Sequence, residues 1–412
     1  MDDFKRPNKK IRLEPTDSFK KPAFDPAHPD IKSITEQSKT NKNIKSVDDI
    51  DKIDLSIDAR PNKASKQKNK KLLVIFGVIL LLLAGSVLVY LIFIKKNKQP
   101  TTTSQNTQVV IEKPKPKPIM SPLTGRTVQD VSLTKRPVTA VMIENSPDAR
   151  PQSGLTDADM VYEAVAEGGI TRFMALYQES QPQYIGPVRS VRPYYLDYAL
   201  PLEASLAHVG GSPEALQDIK TLGVRDLDQF FNDAAYWRIT ERFAPHNMYT
   251  SFERLDKLNQ SKNYTSSNFV GLERKSNTAQ TPTANSIDLS ISGPLYSPHF
   301  DYVASTNSYN RSQAGKPHID LKSGKQISPN SLIVLVVNNG IGTDGYHNSY
   351  NTSGTGKVYV FQDGIVSQGT WTKNDRKSPL VLNDSNNLPM KINSGQTWVS
   401  LVGASTDIGY KP

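Results

Sequence analysis

The sequence predicts an α+β protein in three parts: a disordered N-terminal tail, a membrane anchor, and an ectodomain with a mixed α/β first lobe and a β-rich second lobe. Three observations carry that prediction. Residues 72–94 are 23 uncharged, mostly aliphatic positions between Lys70-Lys71 and Lys95-Lys96. From about residue 119, apolar runs of strand length alternate with helix-start signals. From about residue 285, strands alternate with hairpin turns instead.

At 412 residues with 37% hydrophobic content, the chain is too polar for a multi-span channel or transporter. It has no Cys, which excludes a disulfide framework, a thiol nucleophile, a Cys-zinc site and an iron–sulfur cluster. The net charge of +10 is unevenly placed. Residues 1–71 hold 18 Lys+Arg against 12 Asp+Glu, whereas residues 119–412 hold 26 against 27. No nucleic-acid-binding surface is expected on the folded part.

Residues 1–71 show no periodicity and few large apolar side chains, so they cannot bury enough surface to offset their ordering entropy. They read as a disordered cytoplasmic tail, with a cytosolic partner or anionic lipid as its candidate contact. Residues 72–94, at ~1.5 Å per residue, are long enough for a ~30 Å hydrocarbon core. Arg60, Lys63, Lys66, Lys68, Lys70 and Lys71 precede the segment, and Lys95, Lys96 and Lys98 follow it. That bias predicts a single pass at the cell membrane, with the N-terminus inside and the remainder outside. The segment's length and charged preface argue against a cleaved signal peptide or a buried helix. Leu83-Ala84-Gly85-Ser86 looks like a lipoprotein cleavage motif with Ser in place of the lipidated Cys, and Ser cannot form the thioether. Residues 95–118 end in Lys113-Pro-Lys-Pro-Lys-Pro118, an extended Lys/Pro-rich stalk.

In the first lobe, residues 119–260, Val138 to Glu144 reads as a strand. Met160 to Glu167 and Ile170 to Tyr177 form a hairpin through Gly168-Gly169. A regular ladder pairs Glu167 with Ile170, Val165 with Arg172 and Glu163 with Met174. It places Glu163, Glu167 and Arg172 on one face, as a poorly solvated triad or a cross-strand ion-pair ladder. The two carboxylates are then ~13 Å apart along the strand, too far for a glycosidase pair at roughly 5–9.5 Å.

Gly186-Pro-Val-Arg-Ser-Val-Arg-Pro193 reads as a turn into a helix through Leu200, with Arg189, Ser190 and Arg192 at its start. Two arginines there suggest a carboxylate or phosphate site, or pairing with a local acid such as Asp197. Ala204 to Val209 is an apolar strand carrying His208. Gly210-Gly211-Ser212-Pro213 follows, with Ser212 as N-cap of a helix to about Leu222 and Gly211 open to close ligand approach. Pro245-His246-Asn247 precedes Thr250 and Glu253, which read as a capping box. The six His lack metal-ligand spacing, HExxH and GxSxG are absent, and no metal or other cofactor is expected.

Residues 261–284 read as a linker. The second lobe, residues 285–412, contains a hairpin from Lys357 to Trp371 through Asp363-Gly364, with buried strands at Ser331 to Asn338 and Thr397 to Val402. A sandwich or partial barrel fits. His318, Trp371, Lys373 and Trp398 read as packing residues or as the lining of a sugar groove.

Several short motifs together resemble the YerB-type lipoproteins, an envelope family of mostly Gram-positive bacteria. They are Arg136-Pro137, Val141-Met-Ile-Glu-Asn145, Ala149-Arg-Pro-Gln-Ser-Gly-Leu155, Ala158-Asp159, Glu167-Gly-Gly-Ile-Thr-Arg172, Gly186-Pro-Val-Arg-Ser-Val-Arg192 and Pro245-His246-Asn247. Tyr309-Asn-Arg311, His318-Ile-Asp320 and Trp371-Thr-Lys373 look like the family's second domain. The resemblance implies a surface location and two domains, and supplies no reaction. Relatives commonly use a lipidated Cys, and the long charged tail is a further departure.

These readings combine into an extracytoplasmic envelope protein that binds, and in one version modifies, an anionic wall component such as a peptidoglycan peptide or anionic glycan. Arg150, Gln152, Arg172, Arg189, Ser190, Arg192, Gly211, Ser212 and Asn247 are the ligand-binding candidates. Glu163, Glu167, His208 and His246 are the acid/base candidates if hydrolysis or transfer occurs. The competing reading is a non-catalytic adaptor docking a membrane or wall protein.

Overall fold

The computed structural model describes residue 82, residues 85–91 and residues 118–412. The predicted tail, most of the predicted anchor and nearly all of the stalk lie outside the described residues. Residues 82 and 85–91 are helical. Among the described residues, no helix is long and apolar enough to cross a membrane. The chain divides at Gln108 into two units, and the second, Val109–Pro412, holds the fold described below.

The first half of that unit contains β1 (Thr139–Glu144), β2 (Met160–Glu167), β3 (Ile170–Tyr177), α1 (Pro193–Ala199), β4 (Ser205–His208), α2 (Pro213–Leu222), β5 (Arg225–Asp228), β6 (Tyr236–Arg238), β7 (Met248–Thr250) and α3 (Phe252–Ser261). The second half contains β8 (Ser286–Leu289), β9 (Pro298–Val303), β10 (Ser308–Gln313), β11 (Lys316–Pro317), β12 (Ser331–Val336), β13 (Gly354–Gln362), β14 (Ile365–Lys373), β15 (Val381–Asp384), β16 (Thr397–Val402) and β17 (Ile408–Lys411). Strands outweigh helices, as expected for an α+β chain with a β-rich second half.

Local chemistry explains the main elements. Every residue of β1 and β16 is buried, and both read as near-continuous apolar runs, the pattern of strands covered on two faces. Ser212 caps α2 by accepting from the Ala215 N–H, Pro213 opens the helix, and Gly223 at φ 72° closes it. The cap of α3 is Ser251, one residue later than predicted. Thr250 ends β7 and donates to the Ala235 carbonyl (2.8 Å), so its hydroxyl is not available to the helix.

Ten strands form one sheet in the order β15-β14-β13-β12-β16-β2-β3-β1-β4-β5. The join is parallel: β16 runs beside β12 on one edge and beside β2 on the other. The second lobe therefore does not close a barrel of its own, because β12 and β16, apolar on both faces, continue the sheet of the first half. A second, antiparallel sheet has the order β11-β10-β9-β8-β17. Helices α1 and α2 pack on one face of the large sheet, with Met142, Tyr162, Met174 and Val399. Helix α3 and the second sheet cover the other face, with Ile143, Val161, Phe173 and Trp398.

The β2–β3 hairpin corrects the predicted register. Gly168 and Gly169 do form its turn, at φ 57° and 77°, as a two-residue I′ turn requires. A bulge at Ala166 then shifts the ladder by one: Glu167 faces Ile170, but Val165 faces Thr171 and Glu163 faces Phe173. Tyr194 and Tyr195 of α1 donate to the carbonyls of Val165 and Arg172 (2.6 Å each), satisfying backbone groups at the irregularity. Because side chains alternate, one inserted residue sends Glu163 to the opposite face from Arg172. The predicted triad does not form.

On that opposite face Glu163 meets Arg311 of β10. Both side chains are fully buried, and the guanidinium Nη2 donates to both carboxylate oxygens at 2.9 and 3.0 Å. Trp398 Nε1 donates to Glu163 Oε2 (3.0 Å), and its ring lies 4.8 Å from the guanidinium carbon. Phe173 and Phe300 stack on the same cation. The pair fastens the second sheet to the large one. Replacing Arg311 with Met leaves a buried carboxylate alone, and urea denaturation should read a loss of ~3–5 kcal/mol. Adding Glu163→Met should recover much of that loss; equal and additive losses would show that the two charges do not need each other.

Candidate functional site

Arg150, Gln152 and Glu163 are brought together, but inside the protein. Gln152 Nε2 donates to Asn145 Oδ1 (2.9 Å), Asn145 Nδ2 to Thr171 Oγ1 (2.6 Å), and Thr171 Oγ1 to Glu163 Oε1 (3.3 Å). Arg311 bonds Glu163 and donates to His318 Nδ1, and His318 Nε2 donates to Gln152 Oε1 (2.8 Å), closing a ring. Arg150 joins through Asn145 and lies over Tyr296. These groups consume one another's donors and acceptors. Burial, with Arg311 and Arg150 beside it, pushes the His318 imidazole well below the usual histidine range. Trp371 and Trp398 are buried as well, and the buried Lys373 borders a cavity of about 30 Å³ beside Leu123 and Tyr162, too small for a sugar ring.

Glu167, Arg172 and Arg192 form a second closed cluster. Arg172 Nη2 donates to Glu167 Oε1 (2.8 Å), and Arg192 donates to Oε2 through Nε (2.9 Å) and Nη2 (2.6 Å). Burial raises the Glu167 carboxyl and the two arginines more than reverse it, leaving it below the usual range. Neither arginine uses Asp197, which pairs with Arg376. Arg172 also donates to the Ser190 carbonyl (2.9 Å), so the cluster holds the 189–192 loop from beneath.

That loop forms one wall of a cleft of about 360 Å³. Arg189, Ser190 and Gly211 line it, together with Gly210 and Arg238. Val209, Phe230, Pro245 and Met248 supply an apolar wall. His208 lies beneath rather than in the cleft. It is fully buried, with Nδ1 2.8 Å from the Gly210 carbonyl and Nε2 3.0 Å from Asp226. Asp228 accepts from the Gly210 N–H (3.0 Å), so these groups shape the glycine loop. Ser212 is occupied as the α2 cap. Asn247 Oδ1 accepts from Arg238 Nη1 (2.7 Å), and that arginine has no carboxylate partner among the described residues.

His246 stands near this loop with Glu144 and Ser146. Its Nδ1 lies 3.1 Å from Glu144 Oε2 and 3.3 Å from Ser146 Oγ, and Arg189 Nε is 3.4 Å from Glu144 Oε1. A serine relay needs the hydroxyl and the acid on opposite ring nitrogens. Here Ser146 and Glu144 both meet Nδ1, Ser146 donates to Glu144 (3.0 Å), and the acid on the opposite side, the exposed Asp148, stands 3.9 Å from Nε2, beyond hydrogen-bond distance. The geometry suits holding a charge, not activating a nucleophile. Among the described residues no His/Asp/Glu group of metal-binding form is present.

Of the predicted residues, Arg189, Ser190, Gly211, Asn247 and His246 thus converge on or beside one cleft, while Arg150, Gln152, Glu163, Glu167, Arg172, Arg192, His208 and Ser212 are committed to internal contacts. Sequence reasoning missed Arg238 and Phe230. Arg238 ends a three-residue strand, too short for a clear periodic signal.

The class of protein this defines is a two-sheet α+β fold with an arginine-lined cleft. Residues 123–265 match the family described as "Protein of unknown function (DUF3048) N-terminal domain", and residues 287–399 match its C-terminal domain. "Putative lipoprotein YerB" of Bacillus subtilis (strain 168) is 31% identical over 301 residues, covering 69% of this chain and 87% of that protein. The crystal structure of the YerB protein from Bacillus subtilis superposes with a TM-score of 0.65 at 27% identity, covering 71% of this chain and all of that one. The chain belongs to this YerB-like family. The matched 71% of this chain covers the whole of that crystallised chain, and residues Val109–Pro412 form a compact unit by themselves.

The ring has a pH signature. The unfolded His318 takes a proton near pH 6.5 and the folded one resists it. Its contribution is therefore full above pH 6.5 and is lost as pH falls below it, by up to ~1.4 kcal/mol per unit. Urea titrations at pH 7.0, 6.0 and 5.0 should show that slope, and His318→Gln should remove it. An unchanged slope in the variant would mean that His318 is not the group responsible.

Proposed function

We propose that this is an extracytoplasmic envelope protein that binds an anionic wall component, a peptidoglycan peptide or an anionic glycan, in the cleft at Arg189 and Arg238. One observation carries the reading: two arginines from separate segments, Arg189 and Arg238, line one cleft beside the Gly210-Gly211 turn. Arginine forks are the usual means of holding carboxylate or phosphate. Among the described residues Arg238 is bonded to the neutral Asn247 side chain and pairs with no carboxylate. The lipoprotein description of the Bacillus subtilis relative supports an envelope location, as does the apolar run at residues 72–94. Binding is favoured over hydrolysis because Ser146 and Glu144 crowd the same nitrogen of His246.

Calorimetric titration of residues 109–412 with muropeptides and anionic wall glycans, at two salt concentrations, tests this. Binding should weaken with salt, and Arg238→Ala should weaken it by about tenfold or more, the worth of a charge-assisted hydrogen bond. Unchanged binding in a folded Arg238→Ala protein, or no binding to any fragment, would overturn the proposal.

A further inference from the structure

The cleft is cationic at one side only. Val209, Phe230, Pro245 and Met248 give it an apolar wall with no counterpart in a bare phosphate or a sugar polymer. Phe230, 69% exposed, lines it, and two more strongly exposed phenylalanines lie close in sequence to lining residues, Phe231 at 83% and Phe243 at 90%. Phe173, Phe252, Phe300 and Phe361, by contrast, are fully buried. Aromatic side chains held in water are stabilised when an apolar partner covers them, and a cluster rimmed by polar groups marks the place where one does. Phe230 and Phe231 share one short turn, and Phe243 lies on the loop that brings Pro245 into the lining. On that same loop, among the described residues, Arg242 donates to neutral acceptors, the carbonyls of Ala149 (2.7 Å) and Pro151 (2.6 Å) and the Tyr249 hydroxyl (2.9 Å). A cation beside an exposed aromatic suits the boundary between headgroup and acyl chain.

We infer that the ligand is an amphiphile drawn from the membrane: a lipid whose anionic phosphate headgroup meets Arg189 and Arg238, and whose chain lies on the Phe230–Met248 wall and the phenylalanine rim. This rests on reading the cleft as an anion site, and it puts a membrane lipid there in place of the wall peptide or glycan. Charge complementarity selects the headgroup. The apolar wall selects the chain.

Three probes separate charge from chain in calorimetric titrations of residues 109–412. They are glycerol phosphate, dihexanoylphosphatidylglycerol and dihexanoylphosphatidylcholine, the lipids kept below micelle formation. The anionic lipid should bind at least about tenfold tighter than glycerol phosphate, since each buried methylene contributes to transfer, and about tenfold tighter than the zwitterionic lipid with the same chains. Replacing both Phe230 and Phe243 with Ser should bring the anionic lipid to the affinity of glycerol phosphate, and Arg238→Gln should weaken the anionic lipid. If glycerol phosphate binds as tightly as the lipid, the amphiphile inference is overturned and the anion reading stands. If the zwitterionic lipid binds equally well, the headgroup assignment is overturned. If muropeptides bind and none of the three probes does, the lipid is the wrong class; if nothing anionic binds at all, both readings fall.

Discussion

Glu163 and Arg311 occupy a place where neither charge is stable alone, and the rest of the fold is arranged around keeping them together. A carboxylate on the large sheet and a guanidinium on the second sheet are both without solvent. Each is strongly unfavourable until the other arrives. The second sheet is thereby committed to one docking position, since sliding it by a residue would break a two-pronged bond and three ring contacts. Thr171, Asn145, Gln152 and His318 extend the same commitment to the loop at residues 145–152 and the segment after β11.

The cleft depends on this arrangement through adjacent residues. Asn145 belongs to the buried ring, and Glu144, one position earlier, meets Arg189 and His246 near the cleft. The Glu167–Arg172–Arg192 cluster supports the loop carrying Arg189 and Ser190, and His208 with Asp228 shapes the Gly210 backbone. Charged and polar residues therefore have two duties here. Those that found partners inside the protein build the walls, and those left with neutral partners or water, Arg238 above all, are available to a ligand.

Much of this was legible in the sequence. Apolar runs located β1, β2, β3, β12 and β16; Gly168-Gly169 and Asp363-Gly364 located their hairpins; Ser212-Pro213 located α2. The arginine loop and the Pro245 loop were recognisable as neighbours of helix starts. What alternation could not show was the bulge at Ala166, since an inserted residue leaves no compositional trace in a run of small and apolar residues. That single residue exchanged Glu163's partner. Arg311 lies far from Glu163 in sequence, so their pairing waits on tertiary structure. The motifs that carry the YerB resemblance, including Arg150, Gln152, Arg311 and His318, turn out to supply the ring, which explains why they looked like a site.

The Glu163–Arg311 pair makes the two halves of residues 109–412 one cooperative body. Amide hydrogen exchange followed by mass spectrometry tests it directly, because strands of one cooperative unit open with one free energy. β12 and β16 should share the protection of β1, β2 and β3, and Arg311→Met should lower all five together. If β12 to β14 open well before β1 to β3 in the unaltered protein, or if Arg311→Met exposes only the second half, the halves are separate bodies and the claim is contradicted.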